Sequence, residues 1–332
     1  MTDVRTAGDV GDARAGMIYI PGGVFSMGSE RYYPEEAPVR RVRVDPFWID
    51  ATPVTNDQFA VFVAATGYIT VAEISPNLAD FPGVDPALLS PGSLVFQRPA
   101  RPTHVRDINA YWIFRAGADW RQPRGPGSNL DDLGSHPVVH IAHADALAYA
   151  QWAGKRLPSE AEWEIAARGG LEGREFAWGD TLYPDASVMA NTWQGEFPHE
   201  NRLDDGWEFT SPVQTFPANG FGLFDMIGNV WEWTDDWYGL PVKETKASGS
   251  CCTPSNPRGG SERASFDLND PYARFGRKVL KGGSHLCAPN YCQRYRPAAR
   301  SAQTIDSSSS HIGFRCAVSV SLQPNGQGNR SM

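Results

Sequence analysis

The sequence predicts an α+β protein: a single compact, loop-rich domain with little regular secondary structure. Two features of composition carry that expectation. The 332 residues include 33 glycines and 26 prolines, a density of backbone punctuation that implies long ordered loops between short elements and not a helical bundle. Eleven tryptophans argue against disorder, because low hydrophobicity is what leaves a chain unable to fold. The length exceeds that of a typical domain and is ample for a full core. The expected layout is a flexible leader over residues 1–15, the domain over 16–322 and a disordered tail over 323–332.

Charge and targeting narrow the function classes. A formal net charge of −8 disfavours a nucleic-acid partner, since no basic excess is available to neutralise phosphates. It suits a cationic peptide. The stretch Met1–Val10 lacks an apolar signal region, and no apolar run is long enough to span a bilayer. Five cysteines, an odd number without a secreted-type framework, point to a reducing cytoplasm.

In chain order, Met17–Ile20 and Val24–Met27, separated by Pro21-Gly-Gly, predict an opening hairpin. Val39–Val44 alternates apolar and basic residues, as a half-exposed strand does. Thr55–Gly67 predicts a helix with a capping residue at its start and a glycine stop. Residues 74–135 read as packed loops. A helix follows over 142–153, and His136, His140 and His143 near it are assigned structural roles, since no carboxylate motif accompanies them. Ser159-Glu-Ala-Glu162 is a capping box opening a helix whose inner face carries Trp163, Ala166 and Ala167. Trp231 and Trp233 alternate around Glu232, so in an extended segment they face away from it. Residues 239–278, with the adjacent Cys251 and Cys252, form an irregular excursion, and Val318–Leu322 a last strand.

Chemistry concentrates in two stretches. Cys287 and Cys292 lie five residues apart with Pro289 between them. That spacing and the proline disfavour a helix, so a loop eased by Gly282 and Gly283 brings the sulfurs together. A disulfide, redox exchange and a soft metal all remain open. Two thiolates alone suit Cu(I), whereas structural zinc needs four ligands, which His285 and His311 would have to complete. The second stretch is rich in oxygen donors: Asn191, Asp204, Asp205, Asp225, Asn229 and Glu232 sit in turn-rich sequence. Such a set suits a hard cation such as calcium, although Asn and Asp also make turns through their own hydrogen bonds.

Several runs together resemble the formylglycine-generating enzymes, or sulfatase-modifying factors. They are Gly282-Gly-Ser-His-Leu-Cys287, Tyr291-Cys292-Gln-Arg-Tyr-Arg296, Asp306-Ser-Ser-Ser-Ser and Gly313-Phe-Arg-Cys316. Gly154–Glu164, Asn191–Pro198 and Gly222–Trp233 extend the likeness to roughly residues 16–320. The resemblance implies the C-type-lectin-like fold of that family and a copper-dependent oxidase acting on the Cys-X-Pro-X-Arg segment of an unfolded sulfatase. In that scheme Cys287 and Cys292 hold Cu(I) in a nearly linear site, and Ser284 borders the oxygen pocket. With O2 the substrate cysteine is oxidised at its β-carbon, and the thioaldehyde hydrolyses to Cα-formylglycine with release of sulfide. Trp231, Tyr295, Arg296, Arg300, Ser308 and His311 would shape the substrate groove, His311 standing where relatives carry asparagine. Two structural calcium sites are implied: Asn191, Thr192, Asp205 and Trp207 for one, Asp225, Gly228, Val230 and Glu232 for the other. Ala150, Ala167 and Pro297 stand where secreted relatives have cysteines, leaving Cys316 without a partner. The implied protein is a cytoplasmic monomer. The competing readings are a non-catalytic binding module of the same fold, a sulfoxide-synthase-like relative and a zinc-stabilised protein.

Overall fold

The computed structural model describes residues 13–80, 83, 85, 89–240, 253–269 and 273–320. Most of the expected leader, the tail from residue 323, and Cys251 and Cys252 lie outside the described residues.

The chain opens with four strands: β1 (Met17–Ile20), β2 (Gly23–Met27), β3 (Arg40–Val44) and β4 (Phe47–Asp50). β1 and β2 do not pair with each other, which corrects the expected hairpin. Instead β2 pairs with β3 and β1 with β4, both antiparallel, so the four strands form one long hairpin bent in the middle. The bend falls at Gly22, whose φ is +68°; a Cβ there would meet the Val44 carbonyl oxygen at 2.3 Å. Only glycine permits both that conformation and that approach. β3 buries Val42 and Val44 and presents its arginines outward, as the alternation requires.

Helix α1 (Asn56–Thr66) starts in a capping box between Thr55 and Gln58 and stops at Gly67 in the left-handed region. The following stretch is more ordered than expected. It contains an antiparallel hairpin of β5 (Gly92–Phe96) and β6 (Trp112–Ala116), which the prolines and glycines around it conceal in the sequence. Helices α2 (His143–Trp152) and α3 (Glu160–Arg168) follow, α3 opening on the Ser159/Glu162 capping box. Then come β7 (Trp231–Trp237), the short α4 (Glu262–Ser265), β8 (Arg277–Lys281), β9 (Arg300–Thr304), β10 (Ile312–Gly313) and β11 (Ala317–Ser319).

Two sheets organise the core. One runs β1-β4-β11, the other β10-β7-β8-β9. A large apolar cluster joins α1, α2 and β7, with Phe59, Trp233 and Phe314 fully buried. A second joins α3 to the bent hairpin through Trp163, Phe47 and Ile49. Between them runs Glu232, buried on β7 with its two neighbours Trp231 and Trp233 turned to the first cluster. Arg315 donates to both of its oxygens at 2.7 and 2.8 Å, and Trp163 Nε1 donates at 2.8 Å. Burying a charge is tolerable only with such pairing.

Candidate active site

The segment from Lys281 to Arg300 leaves β8 and returns as β9, and it carries both cysteines. Gly282 and Gly283 begin it with φ of +93° and +73°. A Cβ on Gly282 would press on Trp163 and the Met226 carbonyl at 3.1 Å, and one on Gly283 would meet the Arg294 carbonyl at 3.0 Å. Two turns follow. The Cys287 amide donates to the Ser284 carbonyl at 2.9 Å, and the Cys292 amide to the Ala288 carbonyl at 2.8 Å. Together they bring Cys287 Sγ within 2.9 Å of Cys292 Sγ. Both thiols are free and buried.

Charge within this pair is unequal. The hydrogen bond from Cys287 holds Cys292 down at about 7 against the effect of burial, with Arg294 assisting. Burial and the neighbouring sulfur push Cys287 well up. The pair thus gives up one proton far more readily than the second, an ionisation that belongs to the pair and not to either residue. A soft cation can replace that first proton, since thiolate is the ligand such cations prefer. The pair thus fits Cu(I) by donor chemistry. Cys287 and Cys292 would have to give up their 2.9 Å contact to hold such an ion between them.

The thiols form the floor of an open cavity of about 450 Å³. Ser284, Trp231 and His311 line it. Ser284 Oγ also accepts from the Leu286 amide at 3.2 Å, so it supports the turn as well. His311 Nδ1 lies 2.7 Å from Ser309 Oγ, its ring 4.7 Å from that of Trp112. Burial, with His285 and His140 nearby, holds its pKa well below the ordinary range, so it is neutral. Tyr295, Arg296, Arg300 and Ser308, expected to shape the groove, lie outside the lining of this cavity. Tyr295 stacks in the core on Phe176. Arg296 is buried on Glu36 at 2.5 and 2.8 Å and lies over the Tyr32 ring. Arg300 pairs with Glu160 at 2.8 Å, and the Ser308 hydroxyl turns to that of Ser93 at 2.7 Å. Arg294 reaches the cavity and Arg296 does not, although two positions apart in an extended chain would share a face.

Among the described residues Arg294 is the single charged side chain of the lining, which holds no carboxylate. Its guanidinium stacks 3.8 Å over Tyr33 and pairs with Glu35 at 2.6 Å, while its buried Nε has no partner. Leu94, Ile108, Asn109, Trp112, Tyr291 and Gln303 add to the walls; Leu94 and Trp112 come from β5 and β6, which no local pattern in the sequence reveals.

The oxygen-donor sets differ in fit. In the first, Asn191 Oδ1 is buried without a hydrogen-bond partner. Beside it, the Thr192 carbonyl and an Asp205 carboxylate oxygen both accept from Gln194 Nε2, and burial raises Asp205. The Trp207 amide donates to the other Asp205 oxygen at 2.8 Å. The orphaned Asn191 oxygen suits a hard cation, which would have to displace Gln194 from the Thr192 carbonyl and Asp205. In the second set Asp225 is likewise raised by burial, but Glu232 already serves Arg315 and Trp163, so a cation must compete for it. This set, with the Gly228 and Val230 backbones, fits less well. His140 is held by Ser93 Oγ at 2.8 Å and the Pro123 carbonyl at 2.9 Å, His136 by Thr210 at 3.0 Å. Among the described residues no group of three or more His, Cys, Asp or Glu is placed to hold a metal ion.

A dithiol floor under an open, carboxylate-free cavity, carried on a loop-rich α+β scaffold, defines a class of cysteine-based site. Comparison supplies the family. The chain matches the sulfatase-modifying factor enzyme 1-like domain over residues 6–320, and it belongs to that family. It is 52% identical over 304 residues to a formylglycine-generating enzyme of Mycobacterium tuberculosis, covering 91% of this chain and 97% of that one. It is also 36% identical to a Bos taurus protein named inactive C-alpha-formylglycine-generating enzyme 2, covering 93% and 89%. Among solved structures, PvdO from Pseudomonas aeruginosa superposes with a TM-score of 0.60 at 25% identity, covering 92% and 94%. No helix of the described residues is long and apolar enough to cross a membrane.

Proposed function

We propose that this protein is a formylglycine-generating enzyme: it converts the cysteine of a Cys-X-Pro-X-Arg segment in an unfolded sulfatase to Cα-formylglycine, using O2. The observation that carries the reading is the pair of free thiols at the floor of the cavity, 2.9 Å apart. Cys287 and Cys292 would hold Cu(I), which supplies the one-electron and dioxygen chemistry that side chains lack. The protein's own residues position the substrate. Trp231 and Trp112 wall the cavity with apolar surface and keep water from the substrate thiol. Ser284 and the neutral His311 offer hydrogen bonds to the peptide, and Arg294 favours the thiolate form of Cys292. The reaction balances as peptide CH2SH, O2, two electrons and two protons giving peptide CHO, hydrogen sulfide and water, with a thiol as reductant. Calcium in the Asn191–Asp205 set would be structural, as it would in the Asp225–Glu232 set if it displaces Arg315 there. A monomer in a reducing cytoplasm agrees with the free Cys287, Cys292 and Cys316.

A second reading is kept because a relative is named inactive: the same fold can serve as a binding module. The separating experiment mixes copper-loaded protein, a Cys-X-Pro-X-Arg peptide, O2 and a thiol reductant, and follows the peptide by mass spectrometry. Conversion of CH2SH to CHO is expected. Copper binding without conversion would show the substrate to be wrong, and neither copper binding nor conversion would leave the binding module.

A further inference from the structure

We propose that the cavity-side face of the β5–β6 hairpin is a docking shelf for apolar residues of the substrate polypeptide that flank the modified cysteine. The inference rests on the peptide-converting reading of the cavity and adds a specificity element to it. The register sets Phe96 opposite Trp112 and Leu94 opposite Phe114. Residues two apart on a strand share a face, so these four side chains make one apolar strip.

The strip changes character along its length. Its inner end is core: Phe96 is buried, with its ring 5.9 Å from that of Trp112. Its middle is cavity wall, formed by Trp112 and Leu94. Its outer end is bare, with Leu94 39% and Phe114 50% exposed, and Ile108, another wall residue, 53% exposed. The Phe114 ring lies across the neighbouring strand at Gly92, where a Cβ would meet ring atom Cζ at 2.9 Å. The same Cβ would meet the Arg115 carbonyl oxygen at 2.3 Å, so the bare Gly92 serves the strand pairing as well as the ring.

Single exposed apolar residues are ordinary, whereas a contiguous strip marks an interaction site. From Trp112 to Phe114 the strip runs about 7 Å, the span of two residues of an extended peptide. Continuity names the occupant: a chain whose cysteine reaches the thiols must leave over the cavity rim, and on this side the rim is apolar. Among the described residues the lining has no carboxylate and a single cation, so uncharged flanks fit it best. A folded protein hides apolar flanks in its core, while an unfolded one offers them. The shelf thus selects for substrates that have not yet folded.

The test compares peptides sharing a Cys-X-Pro-X-Arg core, one set bare, one extended on either side by Leu and Phe, one extended by Ser. Wild-type protein is expected to show about a tenfold lower KM for the apolar extension on one side, with kcat unchanged. Phe114→Thr, which keeps strand propensity, should bring the extended peptides to one KM and leave turnover of the bare core as it was. Phe114→Leu should retain most of the preference. Equal KM values in the wild type, or a preference that survives Phe114→Thr, would overturn the shelf while leaving the cavity's reading intact. So would self-association that Phe114→Thr abolishes, since a second copy would then cover the strip. Failure of copper-loaded wild type to convert any peptide would overturn the reading of the cavity, and the shelf with it.

Discussion

Two layers of polar side chains meet along the segment 281–300, and they follow opposite rules. Behind the segment, charges are buried and paired: Lys281 with Glu164 at 3.1 Å, Arg300 with Glu160 at 2.8 Å, Arg296 with Glu36 at 2.5 Å. Arg315 and Glu232 continue the layer at 2.7 Å. In front, the cavity presents thiols, hydroxyls, an imidazole, amides and one guanidinium. The segment has no regular hydrogen-bond ladder between Gly282 and Ala299, so its shape must come from elsewhere. Charge-assisted bonds from behind hold it, which leaves the two thiols in front uncommitted. Rigidity and reactivity are thus assigned to opposite faces of one loop.

The comparison is sharpened most by substitutions on the front face. Cys287→Ser and Cys292→Ser should each abolish conversion, by a factor of about 10³ or more, because the thiolate and not the hydroxyl is the soft ligand. Unfolding by denaturant should change by only about 1 kcal/mol, since the swap is isosteric. Large losses of stability in these variants would show that the front layer also holds the segment, and the division would fail.

Behind the segment the expected outcome is reversed. Burial alone would raise Glu164, but Lys281 and Arg168 outweigh it and hold the carboxylate at about 2. Glu164→Gln leaves Lys281, which has no exposed surface, without its nearest counter-charge. A loss of about 3–5 kcal/mol in unfolding free energy is expected. Wild-type stability should also fall as pH drops from about 4.5 toward 2 because of this group: the unfolded carboxyl takes up its proton first, the native one last. An unchanged denaturation midpoint in Glu164→Gln would remove the back layer's claim to hold the loop.

How legible this was in sequence depended on range. The helices at 56–66 and 160–168 could be read because their caps are local: Thr55 with Gln58, Ser159 with Glu162. The cysteine pair could be read because Pro289 and the two glycines act within a few residues. The first three opening strands could be read, but neither β4 nor the pairing could, since a bend at Gly22 gives the strands partners 13 to 33 residues away. The different places of Arg294 and Arg296 were hidden for the same reason. Arg294 and Arg296 differ by two positions, and what separates them is Tyr33, Glu35 and Glu36, some 260 residues earlier in the chain. No local pattern reports such pairings.

A pH measurement probes the front layer's support without touching the thiols. His140 is fully buried between Ser93 and Pro123, and burial lowers its pKa to about 4 from 6.5. Below pH 6.5 the unfolded chain binds a proton that the native imidazole refuses until about pH 4, so stability falls across that interval. The shift corresponds to about 3 kcal/mol from this residue. His140→Asn, tolerated at its φ of +60°, should remove that share of the acid loss between pH 6.5 and 4. Identical pH profiles for the variant and the wild type would disprove it.

The smallest expected effect concerns a third support, the oxygen set at Asn191. This set lies beside the thiol loop in hydrogen-bond terms: the Trp193 amide donates to the Cys287 carbonyl at 3.0 Å, and the Asn191 carbonyl accepts from the Asn229 amide at 2.8 Å. A cation drawing Asn191 Oδ1, the Thr192 carbonyl and Asp205 together would therefore steady the front layer by a route independent of the ion pairs behind it. Calcium at about a hundred times its dissociation constant should raise unfolding free energy by about 2.7 kcal/mol, with proportionately less at lower excess. Magnesium should do less, because it demands a tighter, octahedral shell. Asp205→Ala should lose the calcium response while keeping the apo stability within about 1 kcal/mol. A calcium response that persists in Asp205→Ala would move the ion to the Asp225 set, where it would compete with Arg315 for Glu232 and so belong to the back layer instead.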